Sequence, residues 1–361
     1  MVMEALILDK SFTAVAVIDS YESFIWTDRY NAYGDFEIDI IVGNSVPDWI
    51  QEGYYLWFKE SEHCMIIENL DITTDVENGN HCLISGRSLE SLLYRRIIWG
   101  QHTYSGNFQN GIKKMLTECF ISPSVSSRKV DNFIFKESTD TKITSLKIDT
   151  QYTGDCLYDV IHDLCEENGI GFKICLSDDN KFVFSLYAGT DRSYNQTENP
   201  YVIFSPKFGN LINSNYASSK TDYYNVTLVA GEGEGAERKL ASVGSASGLD
   251  RYELFTDARD ISSDTDDGTL TDSEYTAQLI SRGKTKLGEH YITATFDGEV
   301  DAISLFRYGV DFFIGDTVQI VNGYGMEEAV CISELIFSND SEGMAIYPSF
   351  ESTTYKEDQT V

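Results

Sequence analysis

The first hundred residues alternate between apolar and polar positions in the way that β-strands do. Phe36, Ile38 and Ile40 are separated by acidic residues, and this period of two predicts a strand with one buried face. The dipeptide Asn78-Gly79 predicts a tight turn, because both residues tolerate a positive φ. Three more strands are predicted in this segment, over residues 54–59, 64–73 and 81–85.

Apolar residues three or four positions apart predict helices elsewhere in the chain. Thr153 is the expected N-cap of one of them, and Asn168-Gly169 is its expected left-handed stop. Thr271 and Glu274 form the pattern of a capping box at the start of another. The predicted helices cover residues 88–95, 108–120, 153–168 and 271–290.

The rest of the chain returns to strand patterns separated by polar connections. A hairpin is predicted over residues 171–186, with a turn at 178–180. The segments 231–248 and 257–272 are rich in glycine, serine and acidic residues, and we expect them to be loops. Residues past 350 are polar and are expected to form a free tail. Further strands are predicted over residues 223–230, 291–300, 317–322, 331–338 and 344–347.

These elements predict an α+β, β-rich fold made of two small β-barrel domains with an inserted mixed α/β region. The predicted divisions are an N-terminal β-barrel-like domain (1–100), an inserted α+β domain (101–200), a C-terminal β-barrel-like domain with one helix at 271–290 (201–350), and a flexible tail (351–361).

The charge balance narrows the possible partners. Asp and Glu number 58 against 27 Lys and Arg, for a net charge of −31, and such a surface repels phosphate instead of releasing counterions from it. Specific nucleic-acid binding and docking on an anionic membrane are therefore not expected, although DNA could slide through a channel with repelling walls.

No run of about 18 apolar residues and no secretory signal is present, so we expect no membrane-embedded segment. The seven cysteines follow no disulfide spacing and fit synthesis in a reducing bacterial cytoplasm.

Several motifs that could carry chemistry do not meet its requirements. The glycine-rich residues 231–235 place glutamates where a phosphate would lie, and they lack the Lys-Ser/Thr of a phosphate loop. Ala246 occupies the nucleophile position of the Gly244-Ser-Ala-Ser-Gly248 segment. Ser263 and Thr265 stand where a calcium loop needs carboxylates. We therefore expect no catalytic residue and no cofactor.

Neighbouring histidines and cysteines raise the question of zinc. His63-Cys64 and His81-Cys82 are adjacent pairs on predicted strands, and neighbours on a strand point to opposite faces. No Cys-x-x-Cys or His-Glu-x-x-His spacing occurs. We therefore expect no metal site.

A set of segments in one order along the chain resembles the siphophage tail baseplate hub family, the hub-like N-terminal region of tail-associated lysin and tail-tip proteins, which is similar to myophage baseplate hubs. The segments are 21–37 (YESFIWTDRYNAYGDFE), 83–93 (LISGRSLESLL) followed by Arg95-Arg96-Ile97, 169–172 (GIGF), 189–193 (GTDRS), 223–226 (YYNV), 229–235 (VAGEGEG), 251–259 (RYELFTDAR), and Asp311 with 315–318 (GDTV).

The resemblance implies a hub-like fold with two barrel domains and a structural function in a virion. Three chains would form a homotrimeric ring that joins a six-fold tail tube to a three-fold tip and leaves a channel for DNA. The implied partners are other copies of this chain, a distal tail protein or tail tube, a tape-measure protein, and tip, spike or receptor-binding proteins. DNA would be a partner only in passage. The implied location is the baseplate or tip of a phage or prophage tail.

Five residues of these segments are candidates for subunit or domain contacts: Trp26, Arg87, Arg192, Arg251 and Arg259. Trp26 is an aromatic anchor either of the core or of a subunit contact. The four arginines can each pair with carboxylates in bidentate fashion in so acidic a chain, or form ordinary surface ion pairs.

Two other functions remain open from the sequence. The first alternative is a tail-associated cell-wall hydrolase, since the many acidic residues allow carboxylate pairs. The second is a host-surface carbohydrate-binding module, in which exposed tyrosine and tryptophan stack on sugars.

Overall fold

The computed structural model describes residues 3–43, 45–75, 79–265, 268–300, 305–325, 327–341 and 343–352. In this part of the chain no helix is both long and apolar enough to cross a membrane. The N-terminal strands follow the predicted alternation, with Phe36, Ile38 and Ile40 all buried on β4. The seven strands are β1 (Ala5–Leu8), β2 (Ala14–Ile18), β3 (Ser23–Arg29), β4 (Asp35–Val42), β5 (Tyr55–Phe58), β6 (Cys64–Asp75) and β7 (Gly79–Ser88).

A short helix follows β7, as the leucine spacing predicts. It is a 3₁₀ helix over Leu89–Arg95, and it buries Leu89, Leu92 and Leu93. The turn predicted at Asn78-Gly79 includes Asn78, which lies outside the described residues; Gly79 pairs with Asp75 across the connection.

The middle segment combines three α-helices with five strands. Its helices are α1 (Phe108–Leu116), α2 (Thr141–Thr144) and α3 (Leu157–Glu167), and α1 continues into one π-helical turn over Thr117–Ile121. The predicted hairpin at 171–186 is confirmed, since β11 and β12 pair in an antiparallel arrangement. The strands are β8 (His102–Asn107), β9 (Phe133–Lys136), β10 (Lys147–Tyr152), β11 (Gly171–Leu176) and β12 (Phe182–Tyr187).

The C-terminal segment contains α4 (Asp272–Gly288), whose capping box between Thr271 and Glu274 is confirmed. Its strands are β13 (Ile203–Phe204), β14 (Leu211–Ser219), β15 (Val226–Ala230), β16 (Leu240–Val243), β17 (Glu253–Asp257), β18 (Asp264–Thr265), β19 (Gly268–Thr269), β20 (Thr293–Val300), β21 (Thr317–Val321), β22 (Glu327–Asp340) and β23 (Gly343–Ser352).

Two sequence predictions about local structure are wrong. Thr153 does not cap α3, which begins four residues later at Leu157. The intervening residues pair with the chain after the 3₁₀ helix, where Ile97 bridges Cys156 and Gly154 N donates to Ile98 O. The segments expected to be loops also contain strands: β16 pairs with β15 within residues 231–248, and β18 pairs with β19 within residues 257–272.

One thirteen-stranded sheet joins the two ends of the chain. Its hydrogen-bonded order is β14-β20-β23-β22-β3-β4-β7-β6-β5-β1-β2, with β21 beside β22 and β13 beside β21. The joining step is the antiparallel pairing of β22 with β3, which places Phe337 opposite Trp26. This continuous pairing does not confirm two separately closed barrels, although the α+β, β-rich class is confirmed.

The hydrophobic cores cross the boundaries between segments of sequence. The core under the N-terminal strands includes Leu335 and Phe337 from β22. The core of the middle segment includes Cys64 and Ile66 from β6 together with the leucines of the 3₁₀ helix. Smaller cores lie beneath β21 and β22 and between α4 and β15. Burial of shared apolar surface therefore holds the three segments together.

Candidate functional site

The three segments of the chain meet at Tyr30, which directly follows β3. Its backbone N–H donates to Ser333 O of β22 at 2.9 Å, which ties it to the C-terminal segment. Its carbonyl accepts from the backbone N of Phe172 at 3.2 Å and from the Tyr187 hydroxyl at 3.2 Å, both in the middle segment. One residue thus connects all three segments through hydrogen bonds that are sheltered from water.

The side chain of Tyr30 extends the same junction. Its hydroxyl donates to Gly169 O at 3.0 Å and accepts from Gly189 N at 3.2 Å. The ring is 5% exposed and packs edge-on against Tyr187. Burial raises the pKa of the Tyr30 hydroxyl well above its ordinary value, so the hydroxyl keeps its proton and can both donate and accept.

Close backbone approach at this junction requires glycine. A Cβ on Gly189 would lie 1.7 Å from Gly315 O, and a Cβ on Gly315 would lie 2.3 Å from the Tyr30 ring. Gly315 also has a φ of +87°, which side chains rarely adopt. The two glycines therefore allow the end of the middle segment to lie directly against the turn before β21.

Arg192 and Asp316 form an ion pair beside these glycines. Arg192 Nε lies 2.7 Å from Asp316 Oδ2, and Asp316 is 3% exposed. The other carboxylate oxygen of Asp316 accepts from Thr190 N at 2.7 Å, and Phe313 N donates to Oδ2 at 3.1 Å. Because the buried carboxylate has both a cation and backbone donors around it, its charge is well compensated.

A second buried polar group lies where the N-terminal sheet meets the middle segment. His63, Glu90 and Asp28 are 3%, 0% and 1% exposed. His63 Nδ1 donates to Glu90 Oε1 at 3.0 Å, and the same oxygen accepts from Ile174 N of β11 at 2.6 Å. Asp28 accepts from Ser61 Oγ at 2.7 Å. Glu90 therefore binds both the N-terminal sheet and the middle segment.

The electrostatics of this group favour a charged His63. Burial alone would lower the pKa of the imidazole, but the carboxylates of Glu90 and Asp28 raise it to about 9. Burial acts to raise the pKa of Glu90, but the charge and hydrogen bond of His63, together with hydrogen bonds from Ser88 and Ile174 N, lower it. Burial raises the pKa of Asp28. The ionised pair is thus His63 with Glu90, as opposite charges in a dry environment require.

The sequence candidate Trp26 lies in the core of the sheet. Its side chain is completely buried, and its Nε1 donates to Asp28 Oδ1 at 2.9 Å. The ring packs against Phe24, Phe36 and Phe58. Trp26 therefore anchors the region where β3 pairs with β22.

The four candidate arginines all contact carboxylates. Arg87 pairs in bidentate fashion with Glu68, at 2.7 and 3.0 Å, and its guanidinium lies over the rings of Tyr33 and Tyr94. Arg192 joins the middle segment to the turn before β21, as described above. The remaining two pair with residues two positions away on exposed strand β17: Arg251 with Glu253 and Arg259 with Asp257. A contact of any of the five candidates with another subunit stays a prediction.

Sequence reasoning missed His63 and Glu90 as a pair. Glu90 stands inside the leucine-rich stretch Leu89-Glu-Ser-Leu-Leu93, and a carboxylate among core positions is a signal that it has a buried partner. The partner itself lies 27 residues away, and no spacing rule identifies it. The junction at Tyr30 was equally hidden, because its contacts come from residues more than a hundred positions apart.

The residues of the motifs that suggested metal binding or phosphate binding make contacts that stabilise the fold. His63 lies against Glu90, and His81 lies 3.0 Å from Asp39. Residues 231–235 lie in the connection from β15 to β16, where Gly231 N donates to Lys239 O. In the described ranges, no group of three or more histidine, cysteine, aspartate or glutamate side chains is arranged to hold a metal ion.

Comparison with known proteins gives one family and several solved structures. The family described as "Siphovirus ReqiPepy6 Gp37-like protein" matches residues 4–350. The fold is similar to the prophage MuSo2 43 kDa tail protein from Shewanella oneidensis, with 12% identity, 99% of both chains covered and a TM-score of 0.60. It is also similar to the tail protein from Neisseria meningitidis MC58, with 12% identity, 99% of both chains and a TM-score of 0.59. No curated protein matches the sequence.

A third solved structure has the same fold. Prophage tail protein gp18 from Listeria monocytogenes EGD-e shares 11% identity, with 99% of this chain and 98% of that chain covered and a TM-score of 0.55. At such low identity the likeness concerns the fold alone, and it extends over the whole length of the molecules.

Proposed function

The chain belongs to the siphovirus Gp37-like tail protein family, and from this membership we propose that it is a structural hub at the tip of a phage-type tail. Three copies form a ring that joins the six-fold tail tube to the three-fold tip and leaves a channel for DNA. Each copy contributes two barrel-like units, residues 1–100 and 201–350, around the inserted residues 101–200. The partners are a distal tail protein or tail tube, a tape-measure protein, and tip, spike or receptor-binding proteins.

The observation that carries this proposal is one sheet that joins both ends of the chain and has three outer strands, of which β13 is only two residues long. Among the described strands, β2 has only β1 as a neighbour and β14 has only β20. Val15 and Val17 on β2 are 42% and 50% exposed. Edge strands of soluble proteins are usually shielded from new pairing, so exposed apolar side chains at a sheet edge support contact with another chain. Contacts of different surfaces, head to tail, close into rings.

The charge of the sheet supports a channel. On the solvent side of β3, β4, β6, β7 and β22, two arginines, Arg29 and Arg87, face a larger set of carboxylates. The carboxylates are Asp35, Glu37, Asp39, Glu68, Asp71 and Glu334. An excess of negative charge on a channel wall repels the phosphates of DNA and lets the duplex pass without binding. This face is the proposed lumen of the ring.

Mass measurement in solution tests the ring. We expect light scattering coupled to size-exclusion chromatography to give three chains per particle, with dissociation on dilution. Association of separate chains obeys mass action, so the fraction of trimer should rise with protein concentration. A single chain per particle at every concentration up to about 100 µM, which is far above the dissociation constants of stable complexes, contradicts the trimer.

We propose that the chain catalyses no reaction. The motifs that suggested chemistry lie in structural pairs and connections, as described above. Incubation of the purified protein with host peptidoglycan, followed by chromatography of soluble fragments, is expected to show no release above a buffer control. Release of muropeptides that increases with protein concentration overturns this part of the proposal.

A further inference from the structure

Three arginines form no salt bridge in the described part of the chain: Arg95 and Arg96 at the end of the 3₁₀ helix, and Arg128 of the middle segment. Carboxylates outnumber lysines and arginines by 58 to 27, so a group of neighbouring arginines without a carboxylate among them is a local patch of positive charge on an acidic chain. Of the other eight arginines, seven contact a carboxylate: Arg29, Arg87, Arg192, Arg238, Arg251, Arg259 and Arg282.

Backbone carbonyls hold two of these arginines in place. Arg96 donates to Cys119 O at 3.3 Å and to Arg128 O at 3.1 Å, while Arg128 donates to Ile97 O at 2.7 Å. Carbonyl groups orient a guanidinium but do not neutralise its charge. Burial, followed by the charges of Arg128 and Arg95, lowers the pKa of Arg96. The three cations therefore lie close enough to repel one another.

Exposed aromatic and aliphatic side chains surround the arginines. Trp99 is 64% exposed, and the Arg128 guanidinium lies 5.2 Å from its ring centroid. Ile97 and Val125 are 43% and 41% exposed. Tryptophan and arginine are the residue types that most often dominate the energy of protein interfaces. We call six of these residues the Arg–Trp surface: Arg95, Arg96, Ile97, Trp99, Val125 and Arg128.

We propose that the Arg–Trp surface binds an acidic surface of a second copy of this chain and so forms a subunit contact of the ring, an inference that rests on the proposed trimer. Two copies that each carry a net charge of −31 repel one another except where one of them presents cations. A head-to-tail ring brings different surfaces together, so a basic surface can meet carboxylates of its neighbour. Charge complementarity of this kind orients partners and speeds their association.

The experiment compares assembly of four proteins by light scattering across a dilution series. Arg95→Glu is the main variant, because the Arg95 side chain is exposed and donates no hydrogen bond to the described residues, so its fold should be intact. Trp99→Ala removes the aromatic centre. The control is the double variant Lys181→Ala/Lys239→Ala, which removes two exposed cations that pair with Asp179 and Asp272. Circular dichroism verifies the fold of each.

We expect Arg95→Glu and Trp99→Ala each to weaken trimer association by at least about 30-fold, the effect of one interface hot spot. The lysine control is expected to assemble like the unmodified chain. A trimer that is indifferent to both variants overturns this inference but leaves the hub. Absence of any trimer in the unmodified chain overturns the hub itself. A DNA duplex is the alternative occupant of this surface. If the unmodified chain binds a duplex, and Arg95→Glu abolishes that binding and leaves assembly unchanged, the occupant is DNA and the inference is overturned.

Discussion

Replacing Glu90 with glutamine is expected to lower the free energy of unfolding by about 3–5 kcal/mol at pH 7, the usual cost of removing one partner from a buried ion pair. The change keeps the shape of the side chain but leaves the His63 imidazolium facing only Asp28 in a dry environment. It also weakens the hydrogen bond that Ile174 N donates to Glu90 Oε1 at 2.6 Å. Equilibrium unfolding in urea, followed by tryptophan fluorescence, measures the loss.

The chain offers a matched control in a second histidine–glutamate pair. His102 Nδ1 lies 2.7 Å from Glu118 Oε2, but Glu118 is 46% exposed. We expect Glu118→Gln to cost at most about 1 kcal/mol, because water and salt screen an exposed pair. Equal losses in the two variants would show that burial of Glu90 does not strengthen its interaction.

The pH dependence gives a further control on the same pair. The folded-state pKa of His63 is about 9 against an ordinary value of 6.5, so protonation favours the folded state. The stability that this group contributes is fully present below pH 6.5 and is lost as the pH rises through about 9. In Glu90→Gln that loss between pH 6.5 and 9 should become much smaller. An unchanged slope in the variant contradicts the assignment of the charge to His63.

Replacing Gly189 with alanine is expected to lower the free energy of unfolding by at least about 3 kcal/mol, the upper part of the range for overpacking. The added Cβ would lie 1.7 Å from the backbone oxygen of Gly315. A carbonyl of the main chain cannot rotate away as a side chain can, so the two segments must separate. The hydrogen bond from Gly189 N to the Tyr30 hydroxyl is lost with them.

Gly323 is the control for this substitution, because a Cβ built there meets nothing within 4 Å. We expect Gly323→Ala to change the free energy of unfolding by no more than about 1 kcal/mol in either direction. Urea unfolding of both variants decides the matter. A loss of less than about 1 kcal/mol in Gly189→Ala, the size of an ordinary surface effect, would mean that the junction yields easily to overpacking.

Elements with a strong local period could be predicted from the sequence. β4 and α1 each show one buried face, and Thr271 with Glu274 fixes the start of α4 through contacts within four residues. Such signals are local because neighbouring residues alone decide them.

The pairing of distant segments could not be predicted in the same way. Arg29 and Glu334 are 305 positions apart and meet at 2.6 Å, since β22 lies beside β3. β16 and β17 lie among glycines and acidic residues that disfavour strands, and packing on α4 compensates for that composition. The Tyr30 junction likewise depends on the register of three segments at once. Local pattern and global register are separate kinds of information.

The pairing of β3 with β22 has a consequence for biosynthesis. A ribosome makes the N-terminal strands first, and they must wait for nearly the whole chain before β22 emerges to cover β3. Native contacts of such long sequence separation form slowly, and an uncovered strand invites aggregation in the meantime. A nascent or truncated chain that ends before β22 therefore lacks the partner of β3 and cannot complete the sheet.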